Sequence, residues 1–332
     1  MLILAFGMAL CLVGGSLSSA RSGSEQLAHG ETIAEYAVKP GDTLYTLAET
    51  YFLRLEDYRI VQRLNRLADP RQLRIGSKLR IPRALLRTEP MRARVLAFRG
   101  DVRILHGAAA SPAIVGAAAE EGDQVVTGRN AFVSFGLPDR SVIALPSQSQ
   151  VWIRRLRRVV LTGAQERQFD IQQGRARGVI PPQRTRGDDF RFSTPGAVSA
   201  VRGTDLQVGY DAGRSITEVF DGAVAVGVGR LPGEVVRAGF GVVRTADGRL
   251  SPPQTLLPAP ELKAPDDIQS ERDLAFAIAP LAGAVRYRVR IARDAGFLDT
   301  VEEAETGEAA VVPSIADGRW FVRIAGIDAQ GQ

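Results

Sequence analysis

Residues 36–51 read Y-A-V-K-P-G-D-T-L-Y-T-L-A-E-T-Y, and this stretch, followed out to Pro82, decides the fold at the N-terminal end of the chain. Ala37-Val38 starts a short strand, and Pro40-Gly41 breaks it with a turn. Asp42 or Thr43 then caps a helix, because either side chain can accept from the free amides of the first turn. Leu44, Leu47, Ala48 and Tyr51 recur at i, i+3, i+4 and i+7, one apolar face of that helix. A second helix is predicted from about Glu56 to Leu64, with Ile60, Val61 and Leu64 inward. Asn65 suits its C-terminus, since Asn tolerates a left-handed backbone. Gly76 permits a turn, Leu79 and Ile81 alternate with Lys78 and Arg80 as a closing strand, and Pro82 ends the unit.

The β-α-α-β order and these residues resemble a LysM module spanning 34–83. That family binds N-acetylglucosamine polymers such as bacterial peptidoglycan. The resemblance implies a shallow groove between the loop before helix one and the loop after helix two. Matching positions place Gly41, Asp42, Thr43 and Leu44 on one side. Asn65, Arg66, Leu67, Ala68, Asp69 and Pro70 fall on the other, with Ile75 beneath. Backbone groups and short polar side chains would read the N-acetyl and hydroxyl groups, and apolar residues the methyl. Asp42 and Thr43 would cap the helix as well.

The 332 residues are enough for two or three domains. Apolar content is 45% and charged content 24%, values of an ordinary globular protein. The formal charge of +5 comes with abundant Arg and scarce Lys, a bias that genome composition explains, with attraction to anionic wall polymer as a modest addition. Residues 1–20 read as an export signal: Leu2 to Gly15 is almost wholly apolar and Ser18-Ser19-Ala20 is a small-residue cleavage pattern. An uncleaved membrane anchor is the competing reading, because nothing basic precedes Arg21. Export places the chain in the periplasm or cell envelope and sets nucleic acid aside as a partner. Cys11 lies in the signal, so a cleaved chain has no disulfide, thiol nucleophile or cysteine metal site. Residues 21–33 read as a flexible leader and Arg83–Ala93 as a basic linker.

From Arg94 the texture changes to short alternating strands split by Gly, Asp and Pro, the pattern of an all-β domain. Val95–Phe98 and Val102–Ile104 look like a hairpin pair around Arg99-Gly100-Asp101. The run G-D-Q-V-V-T-G-R-N-A-F-V-S-F-G-L-P-D-R-S-V-I-A-L-P from Gly122, with F-D-I-Q-Q-G-R-A-R-G-V-I and the box Phe192-Ser193-Thr194-Pro195-Gly196-Ala197-Val198, resembles a FecR-type periplasmic domain over 94–250. In that family the Q-Q-G-R piece belongs to a hairpin. Arg140 stands where its turn usually has Gly, which a type I turn tolerates. The family is named for an iron-transport regulator that receives an envelope signal; the resemblance implies a periplasmic β-domain, with an envelope protein as its partner, and does not imply iron sensing. In the V-R-G-T box, Arg202 and Asp205 could form a site; the plainer reading has Arg202 satisfying buried carbonyls and Gly203 allowing a tight bend.

Residues 251–265 are Pro-rich and read as a stiff linker. Residues 266–332 are similar to a fibronectin III-like sandwich, with strands at Leu274–Ile278, Tyr287–Ala292 and Asp317–Ile324, and with Ala279 where that family often has Trp. The chain stops about where one more strand is expected, as a fragment would. The fold class is therefore multidomain and mainly β. Only His29 and His106 are present, no H-E-x-x-H or G-x-S-x-G occurs, and the acid pairs Glu120-Glu121 and Asp188-Asp189 read as solvated loops. The sequence thus describes a non-catalytic envelope protein that binds peptidoglycan, with no cofactor and no metal. A FecR-related signalling component and a cryptic wall hydrolase, whose two acids need no local motif, are the alternatives.

Overall fold

The computed structural model describes residues 33–332 apart from 184, 186, 229–232, 264–269, 271–273, 298, 308 and 313–317. The export signal, the leader before Ile33, Cys11, His29, Asp317 and the linker's last two residues lie outside the described residues. The chain divides into two compact units at Leu86/Arg87.

In the first unit, β1 (Ile33–Ala37) pairs antiparallel with β2 (Lys78–Pro82), Tyr36 opposite Leu79. Between them lie α1 (Leu44–Tyr51) and α2 (Tyr58–Leu64). The apolar spacing of α1 does what it predicts: Leu44, Leu47 and Ala48 are buried, joined by Phe52, Val61, Leu79 and Ile81. The second helix begins later than expected, because Leu55–Asp57 forms a 3-10 turn first; Val61 is buried while Ile60 and Leu64 are half-buried. The unit also runs past Pro82. A 3-10 turn at Arg83–Leu85 brings buried Leu86 into a bridge with Phe52, so these residues pack with the module instead of forming a linker.

From Thr88 to Thr255 the second unit is a continuous β-system. Its strands are β3 (Thr88–Pro90), β4 (Ala93–Arg99), β5 (Val102–His106), β6 (Ala109–Pro112), β7 (Ala118–Ala119), β8 (Asp123–Thr127), β9 (Phe132–Gly136), β10 (Val142–Leu145) and β11 (Gln150–Val159), then the long β12 (Gln165–Ile180). After it come β13 (Asp189–Ser193), β14 (Val198–Val201), β15 (Thr204–Asp211), β16 (Arg214–Asp221), β17 (Ala223–Gly227), β18 (Glu234–Arg237), β19 (Phe240–Arg244) and β20 (Gln254–Thr255). One ladder runs β6-β5-β8-β11-β12-β13-β14-β17-β18, with β3 also on β11. The other runs β7-β4-β9-β10-β12-β15-β16-β19-β20.

Strand β12 belongs to both ladders, and this corrects the hairpin expected at Q-Q-G-R. Gly174 has φ +75° and bends one strand; a Cβ there would stand 2.4 Å from the Gln148 carbonyl oxygen. The N-terminal half pairs with β11 and, in parallel, β13; the C-terminal half pairs with β10 and β15. Nor is Val95–Ile104 a hairpin. Gly100 (φ +71°) turns a corner that sends β4 and β5 into different ladders. The buried rings of Phe190 and Phe192, with Phe169, form a cluster at centroid distances of 5.4–5.8 Å in the core between them.

The Pro-rich stretch is partly a strand, since β20 pairs with β19. Beyond it, β21 (Leu274–Ala277) pairs with β24 (Ala309–Val312). A three-stranded sheet holds β22 (Arg286–Ala292) between β23 (Thr300–Thr306) and β25 (Phe321–Ile327). Ile278, Tyr287, Val289, Ile291 and Val301 form its small core, with Trp320 packed against them.

Candidate functional site

The loop before α1 is built by Asp42. Its Oδ2 accepts from the Lys39 N–H (2.7 Å) and from the Tyr36 hydroxyl (2.8 Å), while Gly41 takes φ +87°. Tyr36 is buried under the loop, and that burial, followed by the bond to the Asp42 carboxylate, pushes its hydroxyl up to about 12. Thr43, not Asp42, caps α1: its Oγ1 accepts from the Thr46 N–H at 3.0 Å, and Thr46 Oγ1 accepts from the Thr43 N–H at 3.0 Å, a reciprocal capping box.

The loop after α2 is closed by two backbone bonds. The Leu67 N–H donates to the Gln62 carbonyl and the Arg66 N–H to that of Arg63. Together they make a Schellman closure whose left-handed residue is Arg66, at φ +52°; Asn65 keeps φ −97°. Asn65 is instead a pin. Its Nδ2 donates to the Val61 and Arg80 carbonyls (2.8 and 2.7 Å), and its Oδ1 accepts from the Arg80 N–H (2.8 Å). Farther on, Asp69 Oδ1 accepts from the Arg71 N–H.

One bond ties the two loops together: the Leu44 N–H donates to the Pro70 carbonyl at 2.9 Å. The expected site residues sort themselves around it. Gly41, Arg66 and Ala68 are exposed, and Asp42, Thr43, Leu67, Asp69 and Pro70 are half-buried. Leu44 is fully buried and its N–H is taken by the Pro70 carbonyl, so it shapes the junction of the loops and presents no surface of its own. Ile75 is 63% exposed in the turn before β2, a surface residue and not a floor. Gly41 and Ala68 carry peptide groups with no hydrogen-bond partner among the described residues, the kind of group that reads an amide or hydroxyl. Sequence reading missed Tyr36 as the anchor of the first loop. Its signal was present, as a buried-phase aromatic directly before the turn.

The second unit's other candidates are engaged structurally. Arg202 is exposed and donates to no buried carbonyl among the described residues, while Asp205 accepts from both Nε and Nη2 of Arg177 (3.0 and 2.8 Å). Gly203 does bend the chain, at φ +67° against Pro182. His106 Nδ1 lies 2.5 Å from Asp123, Glu120 pairs with Arg92, and Glu121 accepts from the Leu156 N–H. Asp188 is not a solvated acid; its buried carboxylate accepts from the Gln165 N–H. Arg140 sits at φ +69°, so the turn places it where glycine is favoured. Among the described residues no group of three His, Cys, Asp or Glu is arranged to hold a metal. No helix among them is long and apolar enough to cross a membrane.

Two solved structures of a proposed anti-sigma factor from Parabacteroides distasonis are similar to part of the chain, at 15% and 16% identity and a TM-score of 0.33. The match covers 40% of this chain and spans 59% of that protein's chain. No curated protein matches. The family model for the LysM domain matches residues 36–82, and that for the FecR protein matches residues 123–225; both are non-catalytic families. The chain therefore carries a LysM domain followed by a FecR domain in a mainly β structure.

Proposed function

We propose that the protein is a non-catalytic cell-envelope protein that grips peptidoglycan through the two tied loops of its LysM domain. The observation that carries this is the Leu44–Pro70 bond, which holds Gly41, Asp42 and Thr43 beside Leu67, Ala68 and Asp69 in a match region of a glycan-binding family. The ligand would be an N-acetylglucosamine-containing glycan, bound weakly by one shallow module. In this reading the protein is exported to the periplasm, and the rest of the chain, with a fibronectin III-like sandwich at 266–332, is an interaction platform.

The test is co-sedimentation of the protein with purified peptidoglycan, beside a form lacking 36–82, repeated at high salt where the Debye length falls to roughly 3 Å at 1 M. Salt-resistant binding lost with the module supports the reading. Binding that vanishes with salt in both forms overturns it. Asp42→Ala with Leu67→Ala should weaken wall binding while leaving the second unit folded, and unchanged binding would remove the loops from the site.

The FecR match favours a second reading, an envelope signalling component whose β-system receives a partner protein. Isolation of a sigma-factor regulator or sensor kinase bound to the chain would raise it above the first.

A further inference from the structure

Where the C-terminal sheet meets the β15–β16 face, arginines converge. A cavity of ≈300 Å³ is lined by Arg177, Arg288, Arg290 and Arg323, with Phe220 and Gly326 among its apolar parts. Three of these guanidinium groups are held from behind. Arg177 is gripped by Asp205. Arg288 donates twice to Glu305 (3.1 and 2.9 Å). Arg290 donates to Glu303 (2.6 Å) and to the Gln207 side-chain oxygen (3.1 Å). Arg323, half-buried, has no hydrogen bond or ion pair among the described residues and lies 4.1 Å from the centroid of the Phe297 ring.

Arg177, Arg288 and Arg290 each have a carboxylate in contact, and Arg323 is the lining arginine without one among the described residues. Among the described residues Glu218 is the one carboxylate side chain lining the cavity; burial, above all, pushes it up toward its neutral form, and its Oε2 accepts from Gln207 Nε2. Asp294 lies within electrostatic reach of Arg323, and its carboxylate accepts from the Asp299 N–H. Burial first, then the like charges of Arg177 and Arg290, hold Arg323 below its ordinary value, against the opposing pull of Asp205 and Asp294. Phe220 is 44% exposed, with the Arg177 guanidinium over its ring.

We propose that this cavity binds a small organic anion, an apolar or aromatic body carrying a carboxylate or phosphate. The oxyanion bonds Arg323 and sits in the field of Arg177 and Arg290, while the body packs on Phe220. A volume near 300 Å³ lies at the small end of ligand pockets, so the occupant is a single small molecule or one terminal group of a larger one.

The test is calorimetric titration of the full chain with benzoate, phenylphosphate and the neutral benzamide, at low and at raised salt. One of the anions should bind, more weakly in salt, and benzamide should not; the tighter anion identifies carboxylate or phosphate as the headgroup. Arg323→Gln should lose about tenfold in affinity, as expected for a hydrogen bond to a charged group, and Arg323→Lys should recover part of it. Phe220→Ala provides an independent check, weakening the aromatic anions, if Arg323→Gln fails to fold. Failure of both anions to bind, equal binding of benzamide, or an unchanged affinity in a folded Arg323→Gln would each overturn the proposal.

Discussion

Replacing Asn65 with alanine separates a ligand from a pin. Its side chain makes three hydrogen bonds, two joining the end of α2 to the backbone N–H and C=O of Arg80 and the third to the Val61 carbonyl. At a net contribution of about 1 kcal/mol each, with water replacing part of the loss at half-buried Asn65, Asn65→Ala should cost the module about 2–3 kcal/mol. Tryptophan fluorescence would not see this, because Trp152 and Trp320 both lie in the second unit. The assay is amide hydrogen exchange on the full chain, which reports the opening free energy of each segment separately. The Arg80 amide, whose acceptor is Asn65 Oδ1, should lose protection first, and residues of α2 with it. Amides of β12 and β15 should be unchanged. An Asn65→Ala protein that keeps the module's exchange rates, but loses wall binding, would refute the reasoning and return Asn65 to the glycan site.

Tyr36 should ionise at about 12, and its contribution is complete below the ordinary tyrosine value of roughly 10 and lost as the pH rises through 12. Ultraviolet titration checks this: Asp42→Asn should bring one of the six tyrosines down, and six tyrosines ionising together would contradict it. Arg66→Gly and Arg140→Gly should each stabilise by about 1 kcal/mol, since both replace a side chain at positive φ; hydrogen exchange reads the first and denaturant unfolding the second. Gly174→Ala should destabilise the second unit by more than about 2 kcal/mol, adding a backbone clash to left-handed strain. A midpoint unchanged in denaturant would mean that β12 does not need its bend.

Much of the LysM domain was legible because its signals are local. The spacing of Leu44, Leu47 and Ala48 and the cap at Thr43 lie within one or two helical turns, and both appear as read. The site was less legible because its parts are joined by contacts distant in sequence. Asn65 carries the residue type of a left-handed helix end, yet the left-handed conformation falls one residue later. The Asn65 amide is taken by Arg80, a strand away, and Arg66 bears the strain. The Leu44–Pro70 bond uses a backbone donor and a backbone acceptor, so no side-chain pattern announces it.

In the second unit the strands were legible and their partners were not. A glycine between two strand-like runs permits a hairpin, a corner or a bend, and local sequence does not choose among them. At Gly174 the choice is made by Gln148 and Ser149, whose backbone and hydroxyl come so close that only a residue without Cβ fits, leaving a single strand shared by two ladders. Strand β23 shows the converse. T-V-E-E-A-E-T offers little apolar alternation, and its place in the sheet is explained by the partner strand: Glu303 meets Arg290 and Glu305 meets Arg288. Cross-strand ion pairs of this kind define a register only once the arginine strand is known. Arg288 and Arg290, which fix this sheet, also line the cavity beside Arg177 and Arg323, so part of the proposed anion site lies in a pattern hidden from the sequence reading.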